Sequence, residues 1–285
     1  MPPGPIVDSH VHLWDPTRFR MPWLDGNERI GKSFGLSEYR EHTAGLDVEG
    51  IVYLQVEVTP PYALLEAQWV ADLPVDGPPV LGIVPWAPLE DGECARSFLD
   101  ALVAIDPRIT STRRLIQDEP DDDFCVRPGF IRGVQILADY NLSFDICIYH
   151  RHLKNAIVLV RACPNVNFVL DHIGKPDIKA GLLDPWRAEI RELASMPNVM
   201  CKLSGMVTEA APDSWMTDDL RPYAEHILES FGEDRVMFGG DWPVVLMASP
   251  YRRWVESLDQ ITAKMSDGAK RKLWNQNARR FYRLS

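Results

Sequence analysis

No run of about 18 uninterrupted apolar residues occurs in the 285-residue chain, so no membrane-spanning helix is expected. No long run of Lys and Arg occurs either. With 30 basic against 41 acidic residues the net charge is −11, which argues against nucleic acid and anionic membrane as partners. Cysteine is scarce. The five (Cys94, Cys125, Cys147, Cys163 and Cys201) are odd in number and show no C-x-x-C spacing, so they read as reduced thiols rather than a disulfide framework. Cys147 and Cys201 lie in apolar, strand-like runs and are expected simply to be buried. The opening Met1-Pro2-Pro3-Gly4-Pro5 has no charged or apolar leader pattern, so no signal peptide is evident and a cytoplasmic location is expected.

What is present is regular alternation. Hydrophobic residues at 46% and charged residues at 25% are ordinary for a globular protein. Eight short apolar runs read as strands: Ile6–Leu13, Gly50–Val58, Pro79–Ala87, Arg108–Gln117, Leu142–Tyr149, Asn167–Ile173, Asn198–Leu203 and Arg235–Trp242. Stretches such as Ile51-Val52-Tyr53-Leu54 suit strands buried on both faces of a parallel sheet. Helix signals lie between them: Ser37 as a cap, Pro61 and Pro128 as openers, Asp184-Pro185, Thr217-Asp218-Asp219 with Gly232 as a stop, Ser249-Pro250, and Asp267 capping a last helix through Tyr282. No composition break divides the chain. The expected architecture is one α/β domain over residues 1–285, a (β/α)8 TIM-type barrel. A doubly wound open sheet is the alternative, but no Gly-rich turn follows the first strand.

In a barrel, chemistry sits at the C-terminal ends of the strands. His10 and His12 end the first and, being two apart on an extended segment, project together; two imidazoles aimed at one point suit a divalent metal such as zinc. Asp241, after Gly239-Gly240, ends the eighth strand beside the first, as metal ligand and proton acceptor or as a structural acid. His172 ends the sixth strand, either polarising a carbonyl or satisfied in the core by Asp171. His150, after the fifth, is a third imidazole ligand or a surface residue at a helix start. Arg113 and Arg114 point oppositely if extended: one faces inward to bind a carboxylate or oxyanion, the other pairs with the acidic loop 118–123. Lys202 and Ser204 share a face, contacting substrate or the strand-eight acid, or forming a buried salt bridge. Trp14, Trp23, Trp86 and Trp242 fall near the rim, as aromatic faces for a sugar-like ring or as packing that excludes water. His42 and His226 fall inside helices and are expected at the surface.

Four segments in order, Asp8-Ser9-His10-Val11-His12-Leu13-Trp14, Leu170-Asp171-His172-Ile173-Gly174-Lys175-Pro176, Cys201-Lys202-Leu203-Ser204-Gly205 and Gly239-Gly240-Asp241-Trp242-Pro243, resemble the amidohydrolase superfamily. The likeness is to its lactonase-containing branch, which includes enzymes similar to L-fuconolactonase, L-rhamnonolactonase and 2-pyrone-4,6-dicarboxylate lactonase. The resemblance implies a distorted barrel, hydrolysis of a lactone, and one divalent metal or none. The fourth strand offers no lysine to bridge two metals; it ends in Arg113 and Arg114. Water held near His10, His12 and Asp241 would attack the lactone carbonyl, with His172 and the inward arginine on the oxyanion. A neutral sugar lactone is the expected substrate. A pyrone-dicarboxylate lactone and a metal-dependent decarboxylation are the alternatives.

Overall fold

Parallel strands and helices alternate along the computed structural model, which describes residues 2–74 and 77–285. Strands β1 (Ile6–Val11), β2 (Val48–Leu54) and β3 (Val80–Val84) pair in that order. Strands β4 (Ser111–Arg113), β5 (Ser143–Ile146), β6 (Phe168–Leu170), β7 (Val199–Leu203) and β8 (Val236–Phe238) form a second parallel set, also in chain order. Backbone bridges join the two sets at both seams, Ile83 to Ile109 and Val11 to Trp242. Across the second seam His12 N–H donates to Trp242 O at 2.7 Å and Asp241 N–H to His10 O at 2.8 Å. The strands thus follow one another around a ring, with the start of the chain beside β8, as a TIM barrel requires.

The strands fall where the apolar runs lie, although most are shorter than those runs. The chain leaves the sheet early at the rim. After β6, Asp171–Gly174 forms a tight turn with φ of 53° at His172 and 52° at Ile173. Around the strands lie α1 (Leu36–His42), α2 (Ala63–Ala71), α3 (Arg96–Val103), α4 (Pro128–Ile136), α5 (Leu153–Ala162), α6 (Trp186–Ala194), α7 (Met206–Glu209), α8 (Thr217–Phe231), α9 (Tyr251–Ile261), α10 (Asp267–Arg271) and α11 (Asn277–Tyr282). Several caps differ from expectation: Met216 rather than Thr217 precedes α8, and Pro185 rather than Asp184 precedes α6. Ser37 lies within α1, whose start is tied by the Glu38 carboxylate accepting the Gly35 N–H at 2.8 Å. Ser266, not Asp267, caps α10, its Oγ accepting from Ala269 N–H at 3.1 Å.

One apolar cluster fills the barrel interior: Val7, Val52, Leu54, Val84, Val169, Met200 and Met237 pack with Ala278, Phe281 and Tyr282 of α11. The last helix therefore plugs one end of the barrel and leaves the other to polar groups. His42 is exposed as expected. His226 is not: it is buried in α8, its Nε2 3.0 Å from Arg187 O and its ring 5.3 Å from that of Trp186, so helix packing claimed it. All five cysteines are free thiols. Among the described residues no helix is long and apolar enough to cross a membrane.

Candidate active site

β1 carries His10 and His12 into the open end of the ring, where their Nε2 atoms lie 3.2 Å apart. The Asp241 Oδ1 atom lies 3.7 Å from His10 Nε2, 3.6 Å from His12 Nε2 and 3.8 Å from His172 Nε2. All four side chains are buried. Their backbones are unusual: Asp241 and His172 both have φ of 53°, a conformation costly for residues other than glycine and common at functional sites. The glycines before Asp241 matter sterically, because a Cβ on Gly239 would meet His10 Cβ at 2.8 Å.

Burial pushes His10 well below its ordinary value, helped by the positive fields of Lys202, His12 and Arg113. Burial also lowers His12, and burial with the field of His10 takes His172 well down. Burial thus disfavours the charged form of each imidazole and favours the neutral form, which is the one that binds metal. His12 Nδ1–H donates to Leu54 O at 2.9 Å, leaving its Nε2 lone pair facing the cluster. His10 Nδ1 lies 3.4 Å from Asp171 Oδ1 and 3.3 Å from Lys202 Nζ. Donor atoms of His10, His12 and Asp241 lie within 4.8 Å of one another. Ligands about 2 Å from one tetrahedral zinc sit about 3.3 Å apart, so two neutral imidazoles and a carboxylate at these spacings fit one divalent ion.

Beneath this cluster lies a buried ionic layer. Lys202 Nζ contacts Asp145 Oδ2 at 2.7 Å and Asp171 Oδ1 at 2.9 Å, and Tyr282 OH donates to Asp145 at 2.5 Å. Burial opposes ionisation of Asp171, but Lys202 and Arg113 outweigh it and hold the carboxyl below its ordinary value. Arg113 is the inward arginine: Nη2 donates to Gln55 O at 2.6 Å, and Nη1 lies 3.2 Å from His10 Nε2 and 3.3 Å from Asp171.

Above the cluster opens a cavity of about 710 Å³, lined by His12, Arg113, His172 and Asp241 and by Trp23, Glu57, Gln117, Asp118, Cys147, Tyr149, Lys175, Thr208 and Glu209, among others. Several expectations are corrected here. His150 stands apart from the metal-type cluster, its Nδ1 held 2.9 Å from Lys175 O because the chain has already turned into the next helix. Arg114 faces away from the cavity, held by Glu90 at 3.0 Å and by Glu119 at 2.5 Å, the acidic-loop partner foreseen for the outward arginine. Lys202 meets Asp145 and Asp171 rather than Asp241 or the cavity, so the buried salt bridge holds. Ser204 backs His172, its Oγ 2.9 Å from Nδ1.

Of the tryptophans only Trp23 lines the cavity, half-open to solvent with Nε1–H donating to Val56 O at 2.7 Å. Trp14 and Trp242 are buried against Phe34, and Trp86 packs on Phe98, 5.6 Å between rings, so these three are packing. Cys147 is buried as expected but also borders the cavity; burial raises its thiol to about 11, away from the thiolate form. Glu57, Tyr149, Lys175 and Glu209 were not singled out from sequence. Only Lys175, three residues past His172, had a local signal.

Comparison with known proteins agrees with this geometry. The profile of the Amidohydrolase family matches residues 7–284. An L-fucono-1,5-lactonase of Burkholderia ambifaria is 29% identical over 285 residues, covering 98% of this chain and 95% of its own. An amidohydrolase from Burkholderia multivorans, crystallised with bound zinc, superposes with a TM-score of 0.87 at 25% identity, covering 99% of this chain and 100% of that one. A putative 2-pyrone-4,6-dicarboxylic acid hydrolase from Pseudomonas putida has the same fold, with a TM-score of 0.71 at 20% identity over 98% of this chain and 97% of that one.

Proposed function

The chain belongs to the amidohydrolase family, and from that membership we propose that it is a lactonase acting on a neutral sugar lactone. The observation that carries this conclusion is the meeting of His10, His12, His172 and Asp241 at the floor of a cavity whose wall is rich in acids. Residues 1–285 act as one barrel domain on a small molecule. The free thiols fit a reducing compartment, and carbohydrate metabolism in the cytoplasm is the setting.

His10, His12 and Asp241 would hold a divalent metal, and two imidazoles with one carboxylate suit zinc. When bound, such an ion supplies Lewis acidity at the cavity floor. Asp241 takes a proton from water as the water oxygen bonds to the lactone carbonyl carbon. It returns that proton to the ring oxygen as the ring C–O bond breaks, giving the open hydroxy acid. Neutral His172 acts as a donor: with the Ser204 hydroxyl donating to Nδ1, its Nε2–H faces the cavity and the developing oxyanion. Arg113, on the same wall, adds positive charge there. Donors of this kind are commonly worth about 3–4 kcal/mol each.

The wall supports a neutral substrate. Glu57, Asp118, Glu209 and Asp241 stand around the cavity against Arg113 and Lys175, and Arg113 already serves Gln55 and Asp171. A dianion would enter against that field, whereas a polyhydroxylated ring meets it with hydroxyl donors. A panel of L-fucono-, L-rhamnono- and L-galactonolactone beside 2-pyrone-4,6-dicarboxylate, with elemental analysis of the same preparation, tests this. Turnover of a neutral lactone with about one zinc per chain is expected. Turnover of the dianion alone, or carbon dioxide release from an aromatic acid without lactone hydrolysis, overturns it.

A further inference from the structure

Lys175 and Glu209 border the same cavity and do not pair. Lys175 follows the His172 turn in a left-handed conformation, φ 47°, which directs the half-buried side chain along the cavity wall. Its ammonium donates to Gln117 Oε1 at 2.5 Å and stands 5.2 Å from the centre of the Tyr149 ring. Gln117 is itself anchored, its Nε2–H donating to Asp118 at 2.9 Å. Glu209 ends α7, and its main-chain carbonyl accepts from Lys179 N–H at 3.0 Å. Among the described residues the Glu209 carboxylate has neither hydrogen bond nor ion pair, and Lys175 has no ion pair.

The two groups are nonetheless within each other's field. Burial raises the Glu209 carboxyl and Lys175 opposes that rise; burial lowers the Lys175 ammonium, and Cys147, Glu209 and Asp241 together outweigh it. Among the described residues the Lys175 ammonium is engaged with Gln117 and the Tyr149 ring, and no ion pair joins it to Glu209. A partly desolvated wall with an ammonium that keeps N–H donors beyond the one given to Gln117, and a carboxylate without a hydrogen-bond partner, discriminates sharply between ligand groups. An apolar group leaves both unsatisfied. A carboxylate suits Lys175 and is repelled by Glu209, and a cation does the reverse. A hydroxyl satisfies both, accepting from the ammonium while donating to the carboxylate.

Resting on the lactonase reading above, we propose that Lys175 and Glu209 are specificity-determining residues that clamp a ring hydroxyl, or a vicinal pair, of the sugar lactone. The contact forms in the bound substrate and persists through ring opening, so its loss raises KM and leaves kcat within a few-fold. Hydrogen bonds to charged groups of this strength correspond to about a tenfold to hundredfold change in affinity.

The test uses the full-length protein with Lys175→Met, Glu209→Met and Glu209→Gln. Calorimetric titration with 1,5-anhydro-L-fucitol, a ring polyol without the reacting carbonyl, reads binding alone. Kinetics on L-fuconolactone and on its mono-deoxy counterparts read specificity. Each Met variant should bind the polyol at least tenfold more weakly and raise KM for the full lactone. Glu209→Gln, which keeps an acceptor oxygen, should recover part of the loss. One mono-deoxy lactone should be handled alike by wild type and variants, because it lacks the clamped hydroxyl. Wild-type polyol affinity in the Met variants, or an equal loss on every deoxy lactone, overturns the clamp. If Lys175→Met does not fold, the two Glu209 variants decide the matter. Absence of any sugar-lactone turnover by the wild type refutes the lactonase reading, whereas the polyol titration judges the clamp separately.

Discussion

The Gly240 amide donates to the Asp8 carboxylate at 2.7 Å, joining residues 232 apart in sequence. The same carboxylate accepts from His10 N–H at 3.1 Å, Tyr39 OH at 2.9 Å and Tyr251 OH at 2.7 Å. It thereby ties the strand that carries His10 to the loop that carries Asp241. A Cβ on Gly240 would lie 2.3 Å from Asp8 Oδ2 and 2.4 Å from the Tyr251 ring. Gly240→Ala should therefore spread the imidazoles from Asp241, lowering zinc affinity by about 10–100-fold, the range for outer-shell changes. Chelator competition measures it; unchanged affinity would show that this tie does not set the spacing.

Asp241→Asn removes the proton acceptor and keeps the shape. We expect kcat to fall by about 10²–10⁴-fold, the usual range for loss of a general base, with the circular-dichroism spectrum and melting temperature retained. Wild-type turnover in this variant would eliminate the proposed proton path.

Gly205 adopts φ 59°, and a Cβ there would lie 2.4 Å from His172 Nδ1. Gly205→Ala should push the His172 ring off its place and lower kcat on a neutral lactone more than it raises KM. Ser204→Ala removes only the 2.9 Å contact to Nδ1 and should cost about tenfold in kcat, near the worth of one hydrogen bond. Steady-state kinetics of the two variants together distinguish displacement of the ring from loss of its partner.

Glu66 is buried beneath the β2 rim, where its Oε1 accepts from Tyr53 OH at 2.7 Å and Val56 N–H at 2.8 Å, while Oε2 has no partner. Burial pushes its carboxyl from 4.5 to about 7. The folded state thus holds this proton more tightly than the unfolded chain. Below about pH 4.5 both states are protonated; between there and about pH 7 only the unfolded chain ionises, so this group's share of stability falls as pH rises, then levels. Glu66→Gln cannot ionise. Relative to wild type it should gain up to about 3 kcal/mol between pH 4 and pH 8 in urea unfolding. A constant difference across that range would contradict the assignment.

Much of this was legible in the chain. His10 and His12 face together because they are two apart on a strand, and Asp241 reaches them because β8 must close on β1 in a parallel ring. Of two adjacent arginines one had to face inward, but whether it was Arg113 depended on where β4 ends. His150 failed as a ligand because the backbone turns between β5 and the helix that follows, and sequence places such turns only to within a few residues. Trp14, Trp86 and Trp242 lie near the rim in sequence and are packing in space.

Asp8 marks the limit of reasoning from alternation. A regular strand would send it to the side of His10, yet the pairing of β1 with β2 is irregular between Asp8 and Val11, and Asp8 meets Tyr39 and Tyr251 instead. Apolar periodicity, the order of elements and the residue types at strand ends are local properties, so the sequence alone determined the eight-strand barrel and the histidine–aspartate cluster. The clamp of Lys175 and Glu209, the tie from Asp8 to Gly240 and the facing of Arg113 were decided only by tertiary structure. Each depends on the turns that carry segments far apart in the chain to one rim, and those turns are set by packing among many residues.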